Sequence, residues 1–322
     1  MITKTLNNDR NGINRAAQIL QNGGLVAFAT ETVYGLGADA RNGQAIAGIF
    51  QAKGRPSFNP LIVHVANLEM AQEIAEFDDT ALKLASTFWP GPLTLVLPLR
   101  QNSGLSGLVT AGLQTIGLRM PDHTIANQLL TTFSGPVAAP SANISGKISP
   151  TTADHVTEGL AGKIDAILDA GACKVGLESS IVGFDPVPTL LRSGGLAQDA
   201  IERCLAGNLA IHNPSEKPNA PNAPGQLSSH YAPTASLRLN AKSKRAGELK
   251  LGFGPDTQAD LNLSPCADLV EAAANLFAHL HALDRQKAGT IAVAPIPQKG
   301  LGIAINDRLS RAAAPRPKRP DL

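Results

Sequence analysis

The 322-residue sequence has few cysteines, few aromatic residues and little net charge. Its three cysteines, Cys173, Cys204 and Cys266, lie far apart and form no CxxC pair. Disulfide frameworks and thiolate metal sites are therefore not expected, and this cysteine usage suits a reducing cytoplasm. Aromatic residues make up 4% of the chain and the net charge is +2, which argues against nucleic-acid recognition by stacked rings and a coat of cations.

Long apolar segments are missing as well. No run of 18 apolar residues occurs, and the N-terminus lacks the apolar core of a signal peptide. We therefore expect a soluble, cytoplasmic protein with no membrane partner. Hydrophobic residues make up 43% of the chain and charged residues 17%, which is enough apolar material for two folded domains.

The composition divides the chain into three parts. Proline, asparagine, serine and glycine accumulate between 206 and 233, which is typical of a linker. We predict a first domain over 1–205, a proline-rich linker over 206–234 and a small α/β domain over 235–322. The first domain should be α/β with a twisted mixed sheet flanked by helices, because many of its strands lie too close in sequence for parallel crossovers.

A basic loop stands out in the first domain. The segment QAKGRPSFNPLIVHV places Lys53, Arg55, Asn59 and His64 just before and within a predicted β-branched strand. Lysine supplies a point charge and arginine a planar fork, and together they suit a polyphosphate. By itself such a loop is also compatible with a solvated turn.

Polar and glycine-containing segments follow other predicted strands. They are TETVYGLG, SANISG, ESSIV and RSGG. Each alone is typical of a capped turn, but four strand ends of this kind in one domain indicate a ligand site. Arg119, on a strand among apolar neighbours, should pair with either a structural carboxylate or an anionic ligand. Strand alternation sends Ser179 and Ser180 to opposite faces, so only one of them can reach a ligand, and the sequence does not decide which.

These motifs in combination resemble a known family. TETVYGLG, FQAKGRPSFNPLIVHV, FWPGPLTLVL, APSANISG, ESSIVGF and LLRSGG, in this order and spacing, are similar to the YrdC/Sua5 family of threonylcarbamoyl-AMP synthases. The HYAP segment of the linker and the GLGIAINDRLSRAA segment resemble the two-domain Sua5 type. That resemblance implies a YrdC-like catalytic domain and a small Rossmann-like C-terminal domain.

The resemblance also implies the reaction. The family forms threonylcarbamoyl-AMP and pyrophosphate from L-threonine, bicarbonate and ATP. The product serves the N6-threonylcarbamoyladenosine modification at position 37 of ANN-decoding tRNAs, through a downstream tRNA threonylcarbamoyl transferase machinery. Such a transfer needs positioning and charge neutralisation rather than a protein nucleophile. Mg²⁺ with ATP is the expected cofactor, held by phosphates and water, since no carboxylate cluster supplies protein ligands.

Site residues follow from the same resemblance. It implies catalytic roles for Lys53, Arg55, Ser141 and Asn143. Binding of L-threonine is implied for Thr32, Tyr34, His64, Arg119, Ala139 and Ser179. Binding of ATP is implied for Arg55, Asn59, Thr115, Ser141, Ser149, Arg192 and Tyr231. The His230–Tyr231 pair between proline hinges further suits a lid that excludes water from a hydrolysable mixed anhydride.

Two alternatives are compatible with these residues. Carbamoyltransferases that adenylate carbamoyl phosphate use the same module, but they carry further domains that this sequence does not show. An RNA-binding module could use Lys53, Arg55 and Arg192 as a basic surface, against which the low net charge argues. Direct tRNA binding by a synthase is left open.

Overall fold

The computed structural model describes residues 1–212 and 230–315. Most of the predicted linker therefore lies outside the described residues, as does nearly all of the basic end of the chain. The first described range contains β1 Lys4–Asn7, α1 Arg10–Gln21, β2 Val26–Ala29, β3 Tyr34–Asp39, α2 Gly43–Lys53, β4 Ile62–His64, α3 Leu68–Ile74, α4 Asp79–Phe88, β5 Leu93–Pro98, α5 Gly107–Thr110, β6 Thr115–Arg119, α6 Thr124–Phe133, β7 Val137–Ala138, α7 Ala153–Leu160, β8 Ala166–Asp169, β9 Ser180–Gly183, β10 Thr189–Arg192, α8 Gln198–Leu205 and β11 Ala210–Ile211. The second contains β12 Ser236–Arg238, β13 Leu249–Gly252, β14 Leu261–Asn262, α9 Leu269–Arg285, β15 Thr290–Val293 and α10 Leu301–Ala313.

A large mixed sheet runs through the first described range. Its strand order is β1-β8-β2-β3-β7-β4-β6-β5-β9-β10-β11, and it contains both parallel pairs such as β4 with β6 and antiparallel pairs such as β5 with β6. Helices cover the sheet on apolar faces that are spaced as expected, for example at Ile13, Ala16, Ala17 and Leu20 of α1. The predicted mixed sheet with flanking helices is confirmed.

The second described range forms a smaller sheet. Its strands β12-β15-β13-β14 are all parallel, and α9 and α10 pack on them around a core that includes Leu276, Phe277 and Ile305. This arrangement agrees with the predicted small Rossmann-like α/β domain. In the large sheet, β11 pairs with β10 as far as Ile211, which lies six residues beyond the predicted end of the first domain at 205.

Several local predictions were wrong in detail. Tyr34–Asp39 is strand β3, although its glycines favoured a loop. Gly37 is needed there because a β-carbon would lie 2.8 Å from the ring of Phe28 on the neighbouring strand. The segment 101–112 has small and polar residues that favour a mobile surface loop, but it contains the short helix α5, in which Val109 is fully buried.

Two boundaries also differ from the prediction. Lys53 belongs to the last turn of α2, which ends at Gly54 in the left-handed conformation, so the basic segment is partly helical. The Ser264-Pro265 pair favours a helix that starts there, but helix α9 begins at Leu269. Its N-cap is Asp268, whose carboxylate accepts the backbone N–H groups of Val270 and Glu271.

None of the helices within 1–212 and 230–315 combines the length and the apolarity that a bilayer-spanning segment needs.

Candidate functional site

A narrow cavity of about 50 Å³ lies where several strand ends of the large sheet meet the returning linker. Residues from four of the predicted polar segments line it. The lining residues are Thr30, Thr32, Val33, Gly35, Arg55, Ile62, His64, Arg119, Ala139, Pro140, Ser141, Glu178, Ser179, Arg192, His230 and Tyr231.

The sheet brings His64 and Arg119 side by side. These residues are register partners on the parallel strands β4 and β6, and both are buried. Arg119 donates from Nη1 to Thr32 Oγ1 at 2.8 Å and from Nε to the carbonyl of Gly91 at 3.2 Å. Its Nη2 lies 2.6 Å from Glu31 Oε2, in an ion pair without the alignment of a hydrogen bond. Of the two partners that the sequence allowed for Arg119, the structure therefore contains a carboxylate.

His64 is neutral in this setting. Burial, and secondarily the charge of Arg119, lowers the pKa of His64 to about 3. Its Nδ1 has no hydrogen-bond partner among the residues that the structure describes. An imidazole of this kind offers a polar atom to a ligand without adding charge to the pocket.

Two further arginines, Arg55 and Arg192, also line the cavity. Arg55 donates to the carbonyls of Asn59 and Pro60, at 3.3 and 3.0 Å, and burial is the main reason that its pKa is lowered to about 10. Arg192, at the end of β10, donates from Nε and Nη2 to the carbonyl of Ser179 at 3.1 and 2.9 Å. Both side chains are less than one tenth exposed. Two guanidinium groups in one buried cavity favour an anionic ligand.

Lys53 does not line the cavity but holds the loop that does. Its Nζ donates to the carbonyls of Ser141 and Asn143 at 2.5 and 2.6 Å. Burial, with the charge of Arg55 as a second cause, lowers the pKa of Lys53 well below its ordinary value. Lys53 thereby connects the end of α2 to the SANISG segment and positions Ser141 at the cavity wall.

The two serines of the ESSIV segment are separated as strand alternation requires. Ser179 lines the cavity, where its Oγ lies 2.7 Å from Thr94 Oγ1 and accepts from Arg192 at 3.2 Å. Ser180 points to the other face, and its hydroxyl donates to the carbonyl of Leu196 at 2.5 Å. The structure thus assigns the cavity-facing position to Ser179.

Six of the predicted site residues do not line the cavity. Lys53 and Asn143 support the SANISG loop, in which the amide of Asn143 donates to the carbonyls of Ile144 and Lys147. Asn59 lies behind Arg55, and Thr115 pairs with Pro98 at the far end of β6 from Arg119. Ser149 donates to the carboxylate of Glu178 at 2.5 Å.

Tyr34 is the sixth of these residues, and its side chain does not line the cavity. Its hydroxyl donates to the carbonyl of Gly171 at 2.8 Å, and burial raises its pKa. Because β3 alternates, Gly35 faces the cavity while the Tyr34 ring is directed to the loop after β8. Its contact with that loop is a packing role.

The returning linker closes the cavity. Tyr231, in the left-handed conformation, stacks on Phe277 of α9 with ring centroids 5.6 Å apart. The next residue, Ala232, donates its backbone N–H to the carbonyl of Gly146. His230 is neutral, because burial lowers its pKa to about 3. The HYAP segment therefore contacts the small domain and the SANISG loop together.

Sequence reasoning missed two carboxylates of the site. Glu31 pairs with Arg119, and Glu178 lines the cavity and accepts from Ser149 and from Arg308 of α10. Both lie inside motifs that were singled out, TETVYGLG and ESSIVGF. The available signal was an acidic residue directly next to a predicted ligand-binding hydroxyl.

Comparison with known proteins identifies the family. A family model for Sua5, YciO and YrdC proteins, described as "Telomere recombination", matches residues 18–194, and one described as "Threonylcarbamoyl-AMP synthase, C-terminal domain" matches 196–314. The chain is 41% identical to a threonylcarbamoyl-AMP synthase of Pyrococcus abyssi, with 94% of each chain covered. It is 39% identical to that of Bacillus subtilis, covering 98% of this chain and 96% of the relative.

A solved structure supports the same assignment. The crystal structure of P. abyssi Sua5 complexed with L-threonine superposes with a TM-score of 0.88 at 38% identity, and covers 97% of this chain and 98% of that one. Both domains and their order are thus shared. The chain belongs to the Sua5 family of threonylcarbamoyl-AMP synthases, which are nucleotidyl-transferring enzymes.

Proposed function

We propose that this chain forms threonylcarbamoyl-AMP and pyrophosphate from L-threonine, bicarbonate and ATP. The observation that carries the proposal is the convergence of Arg55, Arg119 and Arg192 on one buried cavity that Tyr231 closes. The product would supply the threonylcarbamoyl group for N6-threonylcarbamoyladenosine at position 37 of ANN-decoding tRNAs. A downstream transferase in the cytoplasm would consume it.

L-Threonine is assigned to the side of the cavity formed by β4 and β6. Arg119 would bind the α-carboxylate, and Glu31 would keep its guanidinium oriented from behind. Thr32, His64, Ala139 and Ser179 surround this position and offer hydroxyl, imidazole and methyl groups that match the substrate's own groups. The threonine complex of P. abyssi Sua5 supports L-threonine as a substrate.

ATP is assigned to the side that holds Arg55 and Arg192. Their charges would neutralise the phosphates, and Ser141 and Tyr231 line the same wall. Lys53 and Asn143 would act through the SANISG loop. Asn59, Thr115 and Ser149 do not line the cavity. We therefore assign direct contact with the nucleotide to the four residues that do line it, namely Arg55, Ser141, Arg192 and Tyr231.

The reaction then requires mainly that the substrates be positioned next to one another. The amine of threonine attacks the carbon of bicarbonate, one C–O bond breaks, water leaves with the proton of the amine, and an N-carboxylate forms. An oxygen of that carboxylate attacks the α-phosphorus of ATP, the bond to the bridging oxygen breaks, and pyrophosphate leaves with its electron pair. The reacting groups are both anionic, so the arginines would lower the barrier mainly by charge neutralisation.

Substrate entry requires the linker to move. A cavity of about 50 Å³ is far smaller than the roughly 300 Å³ or more that ligand pockets usually offer. His230 and Tyr231 fill part of this space. We infer that the HYAP segment withdraws to admit ATP and closes again to exclude water from the mixed anhydride.

Mg²⁺ is proposed as the cofactor that accompanies ATP. Within the described residues no group of three or more His, Cys, Asp and Glu side chains could hold a metal ion. The acidic side chain in the cavity wall, Glu178, is already engaged by Ser149 and Arg308. This donor set fits an ion that phosphate oxygens and water hold, and which would neutralise charge on the leaving pyrophosphate.

The RNA-binding alternative is less well supported. Lys53, Arg55 and Arg192 are each at most 9% exposed, so they form no surface that a phosphodiester backbone could follow. Direct tRNA binding would require other residues.

The test is pyrophosphate release from ATP by the purified protein. Release should require L-threonine, bicarbonate and Mg²⁺ together, and should stop when any one is omitted or when EDTA is added. Release with carbamoyl phosphate in place of threonine and bicarbonate would move the chain to the carbamoyl-adenylating reaction. Absence of release in every mixture, together with RNA binding that weakens steeply with salt, would overturn the proposal.

A further inference from the structure

An arginine of the small domain reaches the wall of the cavity in the large domain. Arg308 of α10 is fully buried, and its Nε donates to Glu178 Oε2 at 2.8 Å. Its Nη2 donates to the carbonyl of Ser193 at 2.9 Å, and its guanidinium carbon lies 5.0 Å from the centre of the Tyr231 ring. Nη1 contacts the neighbouring Asp307. One side chain thus joins the second domain, the linker and the cavity wall.

Glu178 presents an electrostatic problem that Arg308 solves. A carboxylate in the wall would repel a polyphosphate and would also attract the guanidinium groups that should bind it. Burial alone would raise the pKa of Glu178. The charges of Arg308 and then Arg192 outweigh that effect, so the pKa lies below its ordinary value and the group stays ionised. Arg308 supplies the compensating charge from the side away from the cavity.

The other contacts of Arg308 act on the same site. Ser193 follows Arg192 directly, so a hydrogen bond to its carbonyl restrains the strand end from which Arg192 reaches the cavity. The contact with the Tyr231 ring holds the closing segment over the pocket. Both restraints come from α10, and a one-domain relative would have to provide them differently.

We propose that Arg308 is a positioning residue for the ATP-binding half of the site, and that the small domain completes this site by neutralising Glu178. The inference rests on the proposed function. It concerns binding of ATP rather than the chemical step, and can therefore be tested without turnover.

The variant Arg308→Met removes the charge at similar volume. We expect the KM for ATP and the Kd for ATP to rise by about tenfold or more, because Glu178 is left without its partner beside Arg192. The KM for L-threonine should change less than about twofold, because Arg119 contacts Glu31, Thr32 and Gly91 rather than Glu178 or Arg308.

Arg285→Met is the matched control. Arg285 also crosses between the domains, where its Nη2 lies 2.5 Å from Glu158 Oε1, but this pair is half exposed and does not line the cavity. Its loss should leave the KM and Kd for ATP unchanged. If both variants behave alike, Arg308 has only a structural role and the inference is overturned.

Rescue separates charge compensation from packing. Arg308→Met combined with Glu178→Gln removes both charges and should recover most of the ATP affinity that Arg308→Met loses. If Arg308→Met does not fold, ATP binding is measured with this double variant and with Arg308→Lys instead. A tenfold loss of ATP affinity in both folded variants overturns the inference.

A wild-type protein that binds ATP but releases no pyrophosphate with threonine and bicarbonate would contradict the proposed function. The comparison of ATP binding would still decide the role of Arg308.

Discussion

At the scale of single residues, the site is built from buried charges that are held by backbone carbonyls. Lys53 and Arg55 each donate to two main-chain oxygens, and Arg192 donates twice to the carbonyl of Ser179, so their side chains are oriented before any ligand arrives. Carbonyl dipoles offset part of the cost of burying a cation without cancelling its charge. Such preorganised cations are well suited to binding an anion.

The adjacent serines provide a prediction at this scale. Ser179→Ala should raise the KM for L-threonine about tenfold, because it removes a cavity hydroxyl and leaves Thr94 and Arg192 without one of their partners. Ser180→Ala should leave that KM unchanged and reduce the free energy of unfolding by about 1 kcal/mol, since its hydroxyl bonds only to Leu196. Steady-state kinetics with threonine varied, beside urea denaturation of both variants, would measure this. A larger kinetic effect at Ser180 would contradict the assignment of the cavity-facing position.

The residue types at the strand ends could be predicted from the sequence, but their division into cavity wall and support could not. Ser141 and Asn143 belong to one motif, yet only Ser141 lines the cavity, while the Asn143 side chain bonds to its own loop. This outcome depends on the turn after β7, where local hydrogen bonds decide each side chain's direction.

At the scale of elements, close backbone approach determines how the site segments meet. The loop after β10 packs directly against the strand end that carries Ser179. A β-carbon on Gly194 would lie 2.3 Å from the carbonyl oxygen of Glu178 and 2.4 Å from the carbonyl carbon of Ser179. Only glycine allows the two main chains to lie this close.

We therefore expect Gly194→Ala to be costly. It should lower the free energy of unfolding by about 3 kcal/mol and reduce threonine-dependent pyrophosphate release, because either Glu178 or Arg192 must shift. Gly207→Ala is the control, since nothing lies within 4 Å of the added carbon, and it should change stability by less than about 0.5 kcal/mol. Chemical denaturation and activity would be compared for both variants. Equal stability of the two would show that the loop can move without cost.

Element positions were largely predictable because apolar spacing and caps are local signals. Helices α1, α4 and α6, for example, bury residues that are spaced at the helical period in the sequence. Strand β3 was missed because its glycines serve packing against Phe28, which depends on the neighbouring strand. The order of the eleven described strands in the large sheet is likewise a property of long-range pairing.

At the scale of the whole molecule, the two domains share a buried boundary. Besides Arg308, the rings of His155 in α7 and His281 in α9 stack with centroids 3.9 Å apart, and His281 Nε2 lies 3.3 Å from the carbonyl of Ser149. Gly176 packs on α9 so closely that a β-carbon would lie 2.5 Å from the carbonyl of Ala273. The boundary is therefore packed as tightly as a core.

Buried histidines make stability depend on pH. Burial is the largest cause that lowers the pKa of His64 and of His155 to about 3, with the charges of Arg119 and of His281 next. The unfolded chain takes up these protons near pH 6.5, whereas the folded chain does so only near pH 3. Their contribution to stability is thus complete above pH 6.5 and is lost progressively as the pH falls toward 3.

The free energy of unfolding should therefore fall between pH 7 and pH 5, by about 1 to 2 kcal/mol for each of these histidines. Urea denaturation at several pH values would measure the slope. His155→Gln should make the slope shallower, because it removes one of the buried histidines that contribute to it. An unchanged slope in this variant would mean that His155 takes up its proton in the folded state at an ordinary pH.

The sequence by itself determined the fold class, the order of most elements and the family, because periodicity, capping and motif spacing are encoded over short stretches. It also indicated the cations and hydroxyls of the site. Tertiary structure alone decided that Glu31 pairs with Arg119, that Ser179 rather than Ser180 faces the cavity, and that Arg308 reaches Glu178. Arg308 and Glu178 are 130 residues apart and belong to different domains, so their contact forms only when the two domains pack and bury one another's charges.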